Sequence, residues 1–150
     1  MRVVLQRVSQ ASVTVEEVII SSIKEGFLIL LGIEEADGHE DIEWLVGKIV
    51  KMRIFDDEDG KMNRSLLDLN AEALVVSQFT LHGSTKKGNR PSFIKAARPN
   101  HAEPLYETFC ETLSKELPRP VGRGLFGAMM QISLINNGPV TITMDSQDRQ

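Results

Sequence analysis

Two short stretches carry residue types able to attack a carbonyl or hold a small charged ligand. The first, Ser77-Gln78-Phe79-Thr80, places two hydroxyls, an amide and an aromatic ring at the polar end of the apolar run that begins at Ala73. A hydroxyl at such a place attacks a carbonyl only with a base beside it; otherwise it satisfies backbone groups nearby. No histidine is fixed by spacing to be that base, so a Ser-His-Asp triad does not follow from the sequence. The second stretch, Asn136-Asn137-Gly138-Pro139, holds a Gly-Pro bond, in which trans is preferred to cis by only about 0.5–1 kcal/mol. The cis form aims two successive carbonyls the same way, as a small rigid acceptor pair, while an ordinary trans turn is the commoner outcome.

Other chemistries are poorly served. His39, His82 and His101 lie far apart without metal-ligand spacing, and the single Cys110 supplies no zinc cluster. Cys110 follows Phe109 on a helical pattern and reads as a packed core thiol. Asp56-Asp57-Glu58-Asp59-Gly60 is an acidic turn whose ligand alternation is wrong for calcium. Gly122-Arg123-Gly124-Leu125-Phe126-Gly127 has the letters of a dinucleotide fingerprint, but prolines precede it and a strand pattern follows, so the βα context is missing. Lys86, Lys87, Arg90, Lys95 and Arg98 form the one basic stretch, a solvated loop by default and a phosphate-contacting one if nucleic acid is the partner.

The elements that must position these residues can be read from periodicity. Met1–Val8 and Ala11–Val18 are expected as two strands of a hairpin, and Gly26–Ile33 as a strand buried on both faces. Asp41 is expected to cap a helix with Ile42, Leu45, Val46, Ile49 and Val50 on its inner face. Ala73–Thr80 reads as a further strand, and His82–Pro99 as a long ordered loop. Ala102, Leu105, Phe109 and Leu113 mark a second helix from about His101 to Leu117, ended by Pro118 and Pro120. Met130–Ile135 and Val140–Met144 close the fold as strands either side of a turn, with 146–150 expected to fray. The resulting class is α/β: a single domain, 1–150, of mixed, mostly antiparallel β-sheet with two main helices.

The chain has 150 residues, enough for one domain with a real core. A formal charge of −4 argues against coating nucleic acid through a general positive field. The longest apolar run is too short to cross a bilayer, and the opening residues alternate rather than forming an export signal. Together with the lone cysteine this leads to the expectation of a cytoplasmic protein with no membrane association.

Read end to end, the residues resemble the D-aminoacyl-tRNA deacylase (D-tyrosyl-tRNA deacylase) family. Ser77-Gln78-Phe79-Thr80-Leu81 and Asn136-Asn137-Gly138-Pro139-Val140-Thr141 match its two signature motifs. Met1–Val8, Phe27–Ile33, Arg53-Ile54-Phe55, Gly60–Asn63 and Lys86–Phe93 resemble its landmarks between them. Two motifs in order with these landmarks are specific, whereas either alone is weak. The resemblance implies a deacylase-like fold and a homodimer in which each subunit lends a cis Gly138-Pro139 to its partner's site, beside Ser77, Gln78, Phe79 and Thr80. It implies hydrolysis of D-aminoacyl-tRNA, with glycyl-tRNA as a further substrate, and chiral selection by rejection of an L side chain. Phe79 and Thr80 N–H groups then bind the oxyanion, and the substrate's ribose 2′-hydroxyl activates the attacking water. Ser77, Gln78, Phe79 and Phe126 hold the terminal adenosine, and Arg7 fixes the dipeptide's carbonyl direction. Thr80 is either a nucleophile or a positioning group, the latter favoured for want of a base. No metal or organic cofactor is called for.

Two departures from the family pattern stand out. Glu16-Glu17 replaces an acid-glycine pair at the first hairpin, and His82-Gly83 replaces an aromatic and a small residue, with His82 expected as a surface variant or a modifier of the pocket rim. Competing functions are a hydrolase of another aminoacyl or peptidyl ester, a non-catalytic RNA-binding module and a structural dimer. The net acidity and the lack of interleaved aromatics weigh against the RNA-binding module, and a structural dimer leaves both motifs unexplained.

Overall fold

The computed structural model describes residues 1–150. Its longest strands pair along nearly their whole length: β1 (Arg2–Val15) and β8 (Gln131–Asp145). Between them come β2 (Val18–Ile23), β3 (Gly26–Gly32), helix α1 (His39–Lys51), β4 (Phe55–Asp56), β5 (Met62–Arg64), helix α2 (Leu66–Leu69), β6 (Glu72–Ser77), a 3-10 turn (Phe79–His82), helix α3 (Pro99–Glu116) and β7 (Gly122–Arg123).

The main sheet runs β2-β1-β3-β6-β7, with β8 on the other edge of β1. Pairing is antiparallel for β8-β1, β1-β2 and β1-β3, and parallel for β3-β6 and β6-β7. The parallel pairs need long crossovers, which α1 and α3 provide. This is the expected mixed sheet with two main helices.

Alternation along the strands divides the core. Val3 and Leu5, Phe27, Ile29 and Leu31, and Ala73 and Val75 face α1 and α3, meeting Ile42, Leu45, Ile49, Tyr106, Phe109 and Leu113. Leu28, Leu74 and Val76 face the opposite way, toward Val8, Ala11, Val13 and Ile23, with Met130, Ile132 and Leu134 closing over them. The far half of β1, with β2 and the first half of β8, therefore curls across the sheet. That explains why β3, buried between two layers, is apolar on both faces.

Several boundaries differ from expectation. Met1–Val8 and Ala11–Val18 are not a hairpin: exposed Ser9 and Gln10 imitate a turn, but β1 passes through them, with its register against β8 shifting there. The reversal is at Glu16-Glu17, where the family resemblance puts the first hairpin, with φ of 48° and 66°, the left-handed pair that a two-residue hairpin turn requires and that glutamate itself does not signal. Helix α1 starts at His39, and Asp41 caps it from inside the first turn by accepting the Gly38 N–H at 2.9 Å. Helix α3 starts two residues earlier than expected, with Pro99 at its first position.

The strand β6 stops at Ser77 and gives way to the 3-10 turn, so Phe79 and Thr80 are not on a strand. Residues 136–139 are not a turn between two strands but a bulge inside β8. Gln6 faces Thr141 and Val8 faces Asn136, so a two-residue step of β1 spans a five-residue step of β8.

The tail, expected to fray, is anchored. Met1's ammonium donates to Asp37 Oδ1 at 2.6 Å and Ser146 Oγ at 2.9 Å, and Ser146 N–H donates to the Met1 carbonyl at 2.9 Å. Gln147 Nε2 reaches Asp37 and Asp41, and the Arg149 guanidinium stacks over Trp44 at 4.7 Å. Short polar segments fray only when nothing binds them; here a buried charge does.

Candidate active site

The Ser77-Gln78-Phe79-Thr80 segment sits where β6 leaves the sheet. Gln78 N–H donates to the Leu31 carbonyl at 2.7 Å, a last bond to β3 before the chain bends. In a four-residue 3-10 turn the first N–H groups find no acceptor within the turn. Leu81 N–H is taken by the Gln78 carbonyl, but Phe79 and Thr80 N–H donate to no loop carbonyl or side chain. Both residues are exposed. Two adjacent N–H groups without a loop or side-chain acceptor thus lie beside an exposed aromatic ring. The Thr80 hydroxyl has one partner, Gln78 Nε2, which donates to it at 3.0 Å. No imidazole or carboxylate hydrogen-bonds to Thr80, so nothing present would deprotonate it.

The surroundings are apolar and aromatic. Phe93, from the long loop, meets Phe79 edge-on at 5.2 Å and 79°. The loop is folded back to bring it there, by reciprocal Ser84–Ser92 backbone bonds of 2.8 and 2.9 Å. A Cβ on Gly83 would lie 2.9 Å from the Phe93 ring, so the small residue after the motif makes room for this packing. The chain beyond β7 continues alongside β6, with Gly124 N–H donating to the Val75 carbonyl at 2.9 Å. That carries Phe126 toward the same end of the sheet, where its ring leans on Tyr106 at 5.9 Å. The Tyr106 hydroxyl, buried and bonded to the Val75 carbonyl at 2.9 Å, is pushed above its ordinary pKa chiefly by burial and acts as a fixed strut.

Arg7 and Gly138-Pro139 form a separate group. The Gly138-Pro139 bond is cis, and both residues are exposed. Arg7 is 6% exposed; its Nε donates to the Asn137 carbonyl at 2.9 Å and Nη1 to the Ile54 carbonyl at 2.7 Å, with Asp56 Oδ1 at 3.4 Å. A Cβ on Gly138 would meet Arg7 Nη2 at 3.0 Å and Val140 Cγ2 at 2.8 Å. Arg7 therefore braces the bulge from beneath, and the short β4–β5 hairpin braces Arg7.

One chain does not bring the two groups together. The bulge is level with Arg7 and Phe27, whereas Ser77 pairs beside Leu31, and three strand intervals separate β8 from β6. With strands about 4.8 Å apart and residues about 3.3 Å apart along them, the separation along the sheet is roughly 20 Å.

Three contributors around the turn were not identified from sequence. Phe93 was visible only as part of a family landmark. Arg2 donates through Nη1 to the Leu81 carbonyl at 3.0 Å and through Nε to Asp145 Oδ2 at 2.7 Å, and Asp145 raises its pKa further. His82, expected at the surface or the pocket rim, is 2% exposed, with Nδ1 2.9 Å from Glu34 Oε1. The turn rolls its last side chain inward, which the polarity of histidine conceals. His39, His82, His101 and Cys110 do not converge, and no group of histidine, cysteine and carboxylate side chains is arranged to hold a metal.

Comparison with known proteins bears on this arrangement. The family model for D-Tyr-tRNA(Tyr) deacylase matches residues 4–145. Proteins named D-aminoacyl-tRNA deacylase from Bacteroides thetaiotaomicron and Flavobacterium johnsoniae are 61% and 59% identical over 150 residues, covering all of both chains in each case. A solved structure titled c-Myc DNA Unwinding Element Binding Protein superposes with a TM-score of 0.92 at 44% identity, covering 97% of this chain and 98% of its own. A structure described as a probable eukaryotic D-amino acid tRNA deacylase, 20% identical with a TM-score of 0.79, shares the fold. With both signature motifs in place on this fold, the chain belongs to the D-Tyr-tRNA(Tyr) deacylase family.

Proposed function

We propose that the protein hydrolyses the ester joining a D-amino acid to tRNA, and that of glycyl-tRNA, as a homodimer with two shared sites. In each site Gly138-Pro139 of one subunit lies beside the partner subunit's Ser77, Gln78, Phe79 and Thr80. The observation that carries the reading is the pair of N–H groups at Phe79 and Thr80 that have no loop or side-chain acceptor, in exposed residues beside an aromatic ring. An aminoacyl ester is already activated, so orientation and stabilisation of the carbonyl oxygen suffice. One such donor is worth about 2.7–4 kcal/mol in the transition state when it can be removed cleanly.

In this reaction a water molecule, activated by the 2′-hydroxyl of the terminal ribose, adds to the ester carbon. The oxyanion is held by Phe79 and Thr80 N–H. Collapse breaks the bond to the ribose 3′-oxygen, which takes up the proton, releasing free amino acid and tRNA. Thr80 serves as a positioning group, consistent with its bond from Gln78. Ser77, Gln78, Phe79 and Phe126 receive the adenosine. The substrate's amino group faces the Gly138-Pro139 carbonyls held by Arg7, and an L side chain would run into the dipeptide. No cofactor enters the reaction.

The dimer reading is supported by the roughly 20 Å between the two groups within one chain, which two-fold symmetry overcomes reciprocally. Exposed Leu125, Met129 and Ile135, the second of them 89% exposed, are apolar surface of the kind that subunits cover. Lys86, Lys87, Arg90, Lys95 and Arg98, exposed and in no ion pair, lie on the segment that packs Phe93 against Phe79 and suit tRNA phosphates. The reading carries a cytoplasmic location, where translation supplies the substrate.

Incubation with D-tyrosyl-tRNA and L-tyrosyl-tRNA, following release of tyrosine, is the decisive test, with Thr80→Ala alongside. Selective loss of the D-ester is expected, with substantial activity kept by Thr80→Ala. Survival of both esters sinks the assignment; abolished activity in a folded Thr80→Ala makes the hydroxyl the nucleophile.

A further inference from the structure

We propose that the buried His82 and the partly exposed Glu34 form a pin beneath the Phe79–His82 turn, and that His82 is a positioning residue for the two N–H groups the turn presents. The inference rests on the reading of Phe79 and Thr80 as the oxyanion contact.

The His82 side chain is fully buried, so it touches neither substrate nor solvent. Its Nδ1 lies 2.9 Å from Glu34 Oε1, off the line of a well-formed hydrogen bond, and Nε2 has no partner. An imidazole left short of partners in a core works against stability, and an apolar ring would fill the same space without that cost. The room for it comes from β3: a Cβ on Gly32 would stand 3.0 Å from His82 Cδ2, His82 Nε2 and Leu81 Cβ. The ring is thus clamped between the end of β3 and the Glu34 carboxylate, two residues along the same chain.

Few other bonds hold the turn. Gln78 N–H bonds to Leu31 at its start, and Arg2 bonds to the Leu81 carbonyl near its end. Between these anchors, Phe79 and Thr80 are exposed, and their only side-chain partners are Phe93 and Gln78. Their N–H directions follow from how the turn is seated at His82. Glu34 is itself fixed: its N–H donates to Asp37 Oδ2 at 2.7 Å, and Asp37 binds the Met1 ammonium. A chain of contacts therefore runs from the buried N-terminal charge through Asp37, Glu34 and His82 to the donors. Displacing reacting groups by about 1 Å costs on the order of a hundredfold in rate, so a pin of this kind acts on kcat.

A double-mutant cycle on D-tyrosyl-tRNA hydrolysis tests this, using Glu34→Gln, His82→Phe and the pair, with Phe79→Ala as reference and thermal melts as the folding control. His82→Phe fills the space but lacks the ring nitrogens; Glu34→Gln keeps the shape and removes the charge. Each single change is expected to lower kcat about tenfold or more with KM within about twofold, and the double variant is expected to fall no further than the singles. Unchanged kcat in a folded His82→Phe, or effects that multiply in the pair, overturns the pin. If Phe79→Ala alone loses activity, the pin fails while the site reading stands. If the wild type turns over substrate and Phe79→Ala is unaffected, the ring has no part in the site. The N–H contact, which alanine keeps, fails and takes the pin with it if a folded Phe79→Pro is as active as Phe79→Ala. Imidazole nitrogen NMR of the wild type decides the matter without a variant: a slowly exchanging proton on His82 Nδ1 supports the pair, and an unprotonated Nδ1 refutes it.

Discussion

Removing the Asp37 carboxylate should be the most damaging single change outside the apolar core. Its oxygen is 2.6 Å from the Met1 ammonium, and both side chains are fully buried. The same carboxylate accepts the Glu34 N–H at 2.7 Å and Gln147 Nε2 at 3.2 Å. Asp37→Ala leaves the ammonium with the Ser146 hydroxyl at 2.9 Å and the more distant Asp145 at 3.9 Å. Deleting one partner of a buried ion pair typically costs about 3–5 kcal/mol, because the remaining charge is stranded. At a urea dependence of about 2 kcal/mol per molar for a domain of this size, the midpoint should fall by roughly 2 M with the slope unchanged. Asp37→Asn, which keeps an acceptor but no charge, should fall between wild type and alanine. The measurement is urea unfolding at pH 7 and one fixed protein concentration, since association would shift the midpoint by itself. A loss below about 1 kcal/mol, the level of an exposed pair, would refute the claim that this charge is structurally buried.

Three further outcomes follow from named geometry. Glu16 and Glu17 both occupy the left-handed region, so replacing them with Asn-Gly should raise the urea midpoint by about 0.5–1 kcal/mol equivalent, and a lower midpoint would show that the turn is not of this type. Burial pushes the Cys110 thiol up to about 12, so a thiol reagent at pH 8 should label it only at the rate of unfolding; prompt labelling in native buffer would contradict its packing. Asp145 is lowered despite burial, which alone would raise it, because Arg2 and the Gln147 N–H bind its ionised form. A depressed carboxylate contributes stability present above its unfolded pKa and lost as pH falls through the folded one. Thermal melts between pH 6 and pH 3 should therefore fall less steeply in Asp145→Asn than in the wild type, and parallel curves would remove Asp145 from the acid response.

The parts of this fold that were legible are those fixed by burial. Ile42, Leu45, Val46, Ile49 and Val50 all face the core of α1, and β3 is buried on both sides, because apolar spacing records which face is covered. What stayed hidden was set by single polar residues with a partner far away in the chain. Ser9-Gln10 looked like a turn because nothing local shows that β8 runs beside them. His82 looked exposed because Glu34 and Gly32, which receive it, are unrelated to it by spacing. The tail looked loose because its binding site is the chain's own first residue. The site divides the same way. The two motifs were legible through resemblance, whereas the separation of the motifs on the sheet required the register. The inward roll of the 3-10 turn required the coordinates themselves.

The bulge in β8 also bears on how such a chain can change over time. Its surplus residues sit between two ladders to β1 that are each fixed by inward-facing side chains, Ile142 and Met144 on one side and Ile132 and Leu134 on the other. Losing or gaining one residue between Asn136 and Thr141 would have to be absorbed by the bulge or would slide one ladder by a step, turning its apolar face to water. Substitution of an exposed side chain there, such as Asn137, alters only what the bulge displays, whereas a Cβ at Gly138 would meet Val140 and Arg7. Length in this segment is consequently set by the core, so new specificities on this scaffold should arise by exchange of exposed side chains and not by insertion or deletion.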